Sequence, residues 1–268
     1  MPTCPEQTRH DRAAFLRTLR YDQHVVEQKT AGIYAHMLEQ SAHVDGGNFD
    51  SLSHTDVELL FTLYDESFFQ KRLERMLRHD DAWPMQFRVS GQMTRSGGKT
   101  IQRMHGPRHD HQPRRVTYEI AVSSWLLFQT FKEDHRPITV SGITCRDRLG
   151  ALLRIMEHEV IHLAELLTWG QSSCGAPRFQ RLAGGLFGHT AVTHGLITRA
   201  ERARIEQGIR GGTRVWFDHD GRRFEGVVNR ITKRATVLVP DDEGVLYSDG
   251  NRYLKFYVPL EILRRVES

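Results

Sequence analysis

A pair of histidines with metal-binding spacing lies past the middle of the chain. His158-Glu159-Val160-Ile161-His162 has the form H-E-x-x-H. Residues four apart lie on the same face of a helix, so both imidazoles can reach one metal ion. Glu159 follows His158 directly, where its carboxylate can take a proton from a metal-bound water. The motif therefore predicts a zinc site with His158 and His162 as ligands and Glu159 as the general base.

The residues around the motif predict one long buried helix that begins near Cys145 or Arg146 and ends at Gly170. Its apolar residues are Leu152, Leu153, Met156, Val160, Ile161, Leu163, Leu166 and Leu167. A core helix with two ordinary histidines and a salt-bridged Glu159 is the alternative interpretation. Burying two imidazoles and a carboxylate without partners is costly, and a metal ion removes that cost, so we favour zinc.

Composition limits the class of protein. The chain has 268 residues, 39% of them hydrophobic and 26% charged, which suits one large domain or a medium domain with a small one. A net charge of +4 permits nucleic-acid or acidic partners without requiring them. Three cysteines, Cys4, Cys145 and Cys174, form no even disulfide framework, which favours a reducing compartment. With neither a signal peptide nor a long apolar run, we expect a cytoplasmic protein with no membrane partner.

Periodicity divides the chain into three predicted regions. Residues 1–53 form an N-terminal helical segment, in which a helical pattern over 5–40 is interrupted near Ala31-Gly32. Residues 54–207 form the domain that carries the metal motif, and residues 208–268 form a small β domain. Within 54–207 we predict a helix, three strands and a further helical segment, at 55–78, 85–90, 91–102, 116–122 and 123–131.

The segment 103–115 contains four arginines and three histidines and has no apolar periodicity. Its glycine and two prolines predict a long exposed hairpin loop. We favour a solvated loop, because charge runs are usually solvated. Contact with a phosphate backbone is the functional alternative. We favour a second metal site at His109 and His111 less than either of these.

These elements, taken in order, resemble the SprT-like zinc metalloproteases, the group that includes Spartan. The resemblance covers residues 55–190, about half of the chain. It is carried by Leu63-Tyr64-Asp65-Glu66-Ser67-Phe68-Phe69, Phe87-Arg88-Val89-Ser90, Met93-Thr94, Gly98, the segment 120–127 and His158 to His162. It implies an α+β, zincin-like metalloprotease domain with helices and a three-stranded antiparallel meander, a bound Zn²⁺ and a protein or peptide substrate.

The third zinc ligand departs from the family pattern. Family members supply a histidine after the metal helix, in a pattern like H-G-x-x-F or H-G-x-x-W. Here Phe179 aligns with the aromatic residue, and Gly175 stands where the histidine would be. We infer that the neighbouring Cys174 is the third ligand, giving a His2Cys site. A thiolate would reduce the Lewis acidity of the metal, so we expect a slow enzyme or one poised for a switch. A buried structural thiol is the alternative.

Two other residues compete for the third position. Glu165 shares the helix face of His158 and His162, so it can ligate the metal or orient a ligand. His189 follows a further short helix, predicted at 178–186, and can fold back toward the site. We favour a role for His189 at the end of this helix, or in supporting a ligand, over a role as the ligand itself. His194 adds to this cluster without deciding the ligand.

The last sixty residues have a different pattern. A helix at 198–207, capped by Thr198 with Glu201 three residues on, leads to a glycine-rich hinge at 208–212. Short β runs with turns at 218–221 and 241–244 then predict a small SH3-like β-barrel of Tudor or KOW type. Its basic and aromatic residues can form a nucleic-acid surface: Arg222, Arg223, Arg230, Lys233, Arg234, Trp216, Phe224, Tyr247, Tyr253 and Tyr257. Equally, the aromatics can fill the core and the acidic turns can cancel the charge.

The sequence thus predicts a zinc-dependent metalloendopeptidase of SprT-like type followed by a small β-barrel. By resemblance, its substrates are proteins bound or crosslinked to DNA, with single-stranded or junction DNA as a partner. A general or self-processing peptidase, with the barrel recruiting protein, is a second enzyme hypothesis. The non-enzyme alternative is a nucleic-acid- or protein-binding module with a structural zinc site and no peptidase activity.

Overall fold

The computed structural model describes residues 5–106, 115–132 and 136–266, with side chains from residue 9 onward. The chain divides into two compact units, residues 1–196 and 197–268. The predicted α+β class is confirmed. The division lies earlier than the boundary expected between residues 207 and 208. Residues 1–53 group with the first unit, and the helix expected at 198–207 groups with the second.

The first unit contains seven helices and five strands in the part of the chain that the structure describes. The helices are α1 (Pro5–Thr18), α2 (Gln23–Gln40), α3 (His54–Phe69), α4 (Arg72–His79), α5 (Ser124–Thr130), α6 (Arg148–Trp169) and α7 (Pro177–Phe187). The strands are β1 (Gln86–Ser90), β2 (Gly98–His105), β3 (Arg115–Ser123), β4 (Ile138–Val140) and β5 (Ile143–Cys145).

Two helix boundaries differ from those expected. The predicted interruption near Ala31-Gly32 is wrong, because α2 runs through it and the break lies between α1 and α2. The single helix expected at 55–78 is two helices, α3 and α4. Gln70 and Lys71 between them have left-handed φ angles of 56° and 59°, which end one helix before the next begins.

The three-stranded sheet has the order β1-β3-β2, so the predicted antiparallel meander is wrong. β1 pairs with β3 in parallel, with Gln86 opposite Glu119, and β2 pairs with β3 antiparallel, with Gly98 opposite Val122. Burial explains this order. Ile120, Ala121 and Val122 are all fully buried, so β3 is covered on both faces and occupies the centre. β2 is consequently an edge strand.

The metal-motif helix α6 lies against β2. Asp147 caps its first turn, accepting a hydrogen bond of 2.7 Å from the amide of Gly150, and Gly170 ends it in a left-handed conformation. The prediction of one long buried helix ending at Gly170 is confirmed. A Cβ atom at Gly98 of β2 would lie 2.7 Å from Cγ of Glu159, so only glycine allows this close approach.

The segment after α7 folds back onto the β4–β5 hairpin. Ser141 and Gly142 form the hairpin turn with φ angles of 54° and 80°. The carbonyl of Ser141 accepts hydrogen bonds from the amides of Thr190 and Ala191, at 3.1 and 3.3 Å. This backbone pairing fixes the segment that carries His189 and His194.

The second unit contains one α-helix and an antiparallel sheet. Its elements are α8 (Arg199–Gln207), β6 (Arg214–His219), β7 (Arg222–Ile231), β8 (Ala235–Leu246), β9 (Arg252–Val258), a 3-10 helix (Leu260–Ile262) and β10 (Arg264–Arg265). Thr198 caps α8 through the amide of Glu201, as expected. The turn expected at 241–244 lies inside β8, as a register shift between Pro240 and Val245.

The strand order in this unit is β10-β6-β7-β8-β9. Among the described strands, β9 and β10 remain edges, so the predicted closed barrel is not found. One face of the sheet is the core, formed by Val215, Phe217, Val228, Val237 and Val258, all at most 3% exposed. Of the aromatics considered for this core, Phe224 packs against it, whereas Tyr257 is 58% exposed.

Three sequence predictions fall outside the described residues. Cys4, His109 and His111 lie there, and so does most of the predicted loop at 103–115.

Across residues 5–106, 115–132 and 136–266, no helix combines the length and the apolar character needed to cross a membrane.

We expect Gly98→Ala to lower the free energy of unfolding by about 1–3 kcal/mol, because the new methyl group overlaps Glu159 and Ile155. Gly91→Ala is the matched control, since its Cβ would meet nothing nearer than 3.9 Å. Denaturant unfolding of both variants measures the difference. Equal stabilities would contradict the close packing of β2 on α6.

Candidate metal centre

His158 and His162 meet on one face of α6. Their Nε2 atoms are 3.1 Å apart and their ring centroids 4.8 Å apart. Two imidazoles that bind one tetrahedral zinc have nitrogens about 3.3 Å apart, from Zn–N bonds of about 2.05 Å. The observed separation fits a shared metal ion.

Cys174 joins this pair from the loop between α6 and α7. The ligand atoms of His158, His162 and Cys174 all lie within 4.8 Å of one another. Phe179 of α7 is fully buried, and its ring contacts both imidazoles, with centroids 4.8 and 4.5 Å away. These three side chains form a candidate metal-binding triad.

Burial keeps both imidazoles available as neutral ligands. It lowers the pKa of His158 to about 3, and electrostatic interaction with His162, His189 and His194 lowers it further. Burial also lowers the pKa of His162, although Glu165 opposes this shift. Neutral imidazoles have a free lone pair, which a metal ion requires.

A hydrogen-bonded relay fixes the orientation of His162. Nδ1 of His162 lies 2.7 Å from Oγ of Ser172, and that hydroxyl donates to Oε2 of Glu165 at 2.6 Å. Because the hydroxyl hydrogen goes to the carboxylate, Nδ1 of His162 must be the donor to Ser172. The Nε2 atom that faces His158 therefore carries the lone pair, as metal binding needs.

Glu165 supports a ligand and does not itself join the triad. Its side chain is fully buried, and Oε1 accepts a 2.6 Å hydrogen bond from Nε of Arg178 while Oε2 accepts from Ser172. Arg178 is held in turn by the carbonyl of Gln171 and stacks over Trp169 at 4.1 Å. Of the two roles considered for Glu165, the structure places it in the orienting one.

His189 and His194 also lie outside the triad. Nε2 of His189 is 2.8 Å from Oε2 of Glu157, a fully buried carboxylate that also binds Arg154 and the hydroxyl of Tyr64. Nε2 of His194 lies 3.0 Å from the carbonyl of Arg95. Cys174 is therefore the third residue that the geometry brings to His158 and His162.

Glu159 is buried against the edge strand. The hydroxyl of Thr100 lies 2.8 Å from its Oε2 and 2.9 Å from its backbone carbonyl. Burial raises the pKa of Glu159 to about 7, and the hydrogen bonds from Thr100 oppose that increase. A carboxylate with a pKa near neutrality is suited to take and return a proton.

No protein-family model matches the chain, and no curated protein or solved structure is significantly similar to it.

Sequence reasoning missed two residues that position the site, Thr100 and Ser172, and gave no structural role to Gly98. Gly98 and Thr100 contact Glu159 because β2 packs against α6. The predicted meander did not say which strand would pack against this helix. Ser172 belongs to a short polar loop, and nothing in its spacing distinguishes it from Ser173.

We expect metal to protect Cys174 from alkylation at pH 8. In a Cys4→Ser variant stripped of metal, the partly exposed thiol of Cys174 should react, and stoichiometric zinc should block it. Cys145 is the internal control, because burial raises the pKa of its thiol to about 11. Peptide mapping by mass spectrometry locates the label. Equal labelling of Cys174 with and without zinc would exclude it as a ligand.

We expect Ser172→Ala to weaken zinc binding by about 10–100-fold, because it removes the acceptor that orients His162. Competition with a chromophoric chelator measures the affinity. Ser173→Ala is the control, since Ser173 is exposed and, among the described residues, it forms a hydrogen bond only through its backbone carbonyl, with the amide of Ala176. Unchanged affinity in Ser172→Ala would contradict the relay.

Proposed function

We propose that the first unit is a zinc-dependent metalloendopeptidase of SprT-like type. His158, His162 and Cys174 hold Zn²⁺, and Glu159 is the general base. The observation that carries the proposal is the convergence of these three ligand atoms within 4.8 Å beside a buried carboxylate on the same helix. The H-E-x-x-H motif, which carries part of the sequence resemblance, supports this assignment.

The donor set favours zinc over other common metals. Two imidazole nitrogens and one thiolate are typical zinc ligands, whereas magnesium and calcium prefer oxygen. Three protein ligands leave a fourth coordination position, as in catalytic zinc sites. Bound zinc would act as a Lewis acid that polarises a peptide carbonyl and lowers the pKa of a water molecule.

Glu159 provides the proton transfer. Its carboxylate accepts the proton of the attacking water and delivers it to the leaving amine as the peptide bond breaks. Thr100 holds Oε2 of this carboxylate, which limits its rotation. Because Cys174 supplies an anionic ligand, we expect slower catalysis than from a site with three neutral histidines.

The free edge of β2 offers a place for the substrate backbone. Within the described residues, β2 pairs only with β3, and its residue Thr100 contacts Glu159. An extended peptide that adds to this edge would be held by main-chain hydrogen bonds beside the general base. This mode of binding suits an unfolded or extended protein segment.

The finer identity of the substrate rests on the resemblance alone. By that analogy we propose proteins bound or crosslinked to DNA as substrates, which is a weaker argument than the site chemistry.

For the second unit we propose a small SH3-like fold, because its last strand, β10, returns to pair with its first, β6.

We expect Glu159→Gln to lower the rate of peptide cleavage by about 10²–10⁴-fold while leaving bound zinc unchanged. Glutamine keeps the size of the side chain and an oxygen that Thr100 can reach, but it cannot take a proton. Cleavage of an unfolded model protein, with metal content measured on the same samples, tests this.

The wild-type protein with its metal removed is the second control, and added zinc should restore its activity. Loss of zinc in Glu159→Gln would make the comparison uninformative about proton transfer, and Glu159→Asp would then replace it. Absence of cleavage by the zinc-loaded wild type would favour the alternative of a binding module with a structural zinc.

A further inference from the structure

Six arginines line two neighbouring cavities in the second unit. They come from α8, the glycine hinge, β6, β7 and β10, and are Arg204, Arg210, Arg214, Arg223, Arg264 and Arg265. Two open cavities of about 700 and 1030 Å³ share Arg265 and Val266, and we call the two cavities together the arginine trough.

The positive charge of the arginine trough is largely unneutralised. Glu225 is its one carboxylate, and it lies 4.0 Å from Arg214, at the limit of an ion pair. Arg223 pairs with Asp218 at 3.4 Å. Among the residues that the structure describes, no carboxylate pairs with Arg204, Arg210 or Arg265. Such a cluster requires a counter-charge from solvent ions or from a ligand.

An aromatic side chain lies at one end of the trough. Trp216 of β6 is partly exposed, and the guanidinium of Arg223 stacks on its ring at 3.8 Å. Arg264 is the cross-strand neighbour of Trp216 on β10. A planar group can therefore stack against an indole or a guanidinium beside at least two positive charges.

Glycines line the other end of the trough. Gly208 and Gly212 have left-handed φ angles of 65° and 85°, and Gly211 stands between Arg210 and Gly212 in the chain. At Gly212 a Cβ atom would meet nothing within 4 Å, so the backbone there is open to close approach by a ligand.

We propose that the arginine trough binds the phosphodiester backbone of a single-stranded nucleic acid, with a base stacked at Trp216. Arginine guanidinium groups match phosphate oxygens in a bidentate geometry, and an aromatic platform beside them accepts a base without sequence preference. An acidic peptide could satisfy the charges, but it offers no planar group for Trp216 and Arg223. The trough involves only residues of the second unit, so the inference does not depend on peptidase activity.

The trough differs from the basic surface that the sequence suggested. Of the five basic residues named there, only Arg223 lines the trough. Arg222, Arg230 and Lys233 are exposed elsewhere in the unit and provide a control with the same number of charges.

The test measures binding of a fluorescent oligothymidylate of about 20 nucleotides to the full chain carrying Glu159→Gln, over a range of salt concentrations. We expect replacement of Arg204, Arg210 and Arg265 by alanine to weaken binding by about tenfold or more. It should also reduce the slope of log K against log salt by about 2, since each single-strand phosphate contact contributes about 0.7. Trp216→Leu should weaken binding by about fivefold or more and leave the slope unchanged.

The control variant replaces Arg222, Arg230 and Lys233 by alanine and should retain most of the binding. Equal losses in the two triple variants would overturn the location, because they would indicate a general charge effect. Polyglutamate competing as well as the oligonucleotide would overturn the ligand class in favour of an acidic peptide. A duplex that binds more tightly than the single strand would overturn the stacking mode. Thermal unfolding and zinc content of each variant confirm that both units remain intact.

Discussion

Three carboxylates inside one helix set the requirements for the rest of the first unit. Glu157, Glu159 and Glu165 of α6 are each at most 4% exposed. A buried charge without partners is unstable, so other elements must bring hydrogen-bond donors to each of them. Glu157 receives the hydroxyl of Tyr64 from α3 and His189 from the segment after α7, in addition to Arg154 of its own helix.

The other two carboxylates are satisfied on different sides of the helix, and both arrangements serve the metal centre. Glu159 is held by Thr100 of β2, which places the edge of the sheet beside the proposed general base. Glu165 is held by Ser172 and Arg178, which brings the loop containing Cys174 and the start of α7 toward the histidines. Satisfying the buried carboxylates of α6 thus brings Cys174, the aromatic Phe179 and the edge of β2 to the same part of the helix.

Local patterns made part of this arrangement predictable from sequence. The spacing of His158 and His162, the apolar run around them and Gly170 predict the helix and the face that carries both histidines, because these signals act within a few turns. The Thr198 cap of α8 is equally local. The order of the strands was not predictable in this way, since it depends on which strand is buried on both faces, and β3 becomes central only in the folded unit.

The parts that sequence did not predict depend on contacts between distant segments. Ser172 matters because the loop folds under His162, and Gly98 matters because β2 lies on α6. The arginine trough combines residues from Arg204 to Arg265, which no short window brings together. The basic surface predicted around Arg222 grouped residues that are close along the chain, whereas the arginine trough groups residues that are close in the folded sheet.

We propose that the metal centre is a catalytic His2Cys zinc site with an open fourth position. X-ray absorption spectroscopy at the zinc edge of the zinc-loaded protein measures the ligands of the metal. We expect one sulfur at about 2.3 Å, two imidazole nitrogens at about 2.0–2.1 Å and one exchangeable oxygen. A first coordination sphere without sulfur, or one filled by four protein ligands, would contradict it.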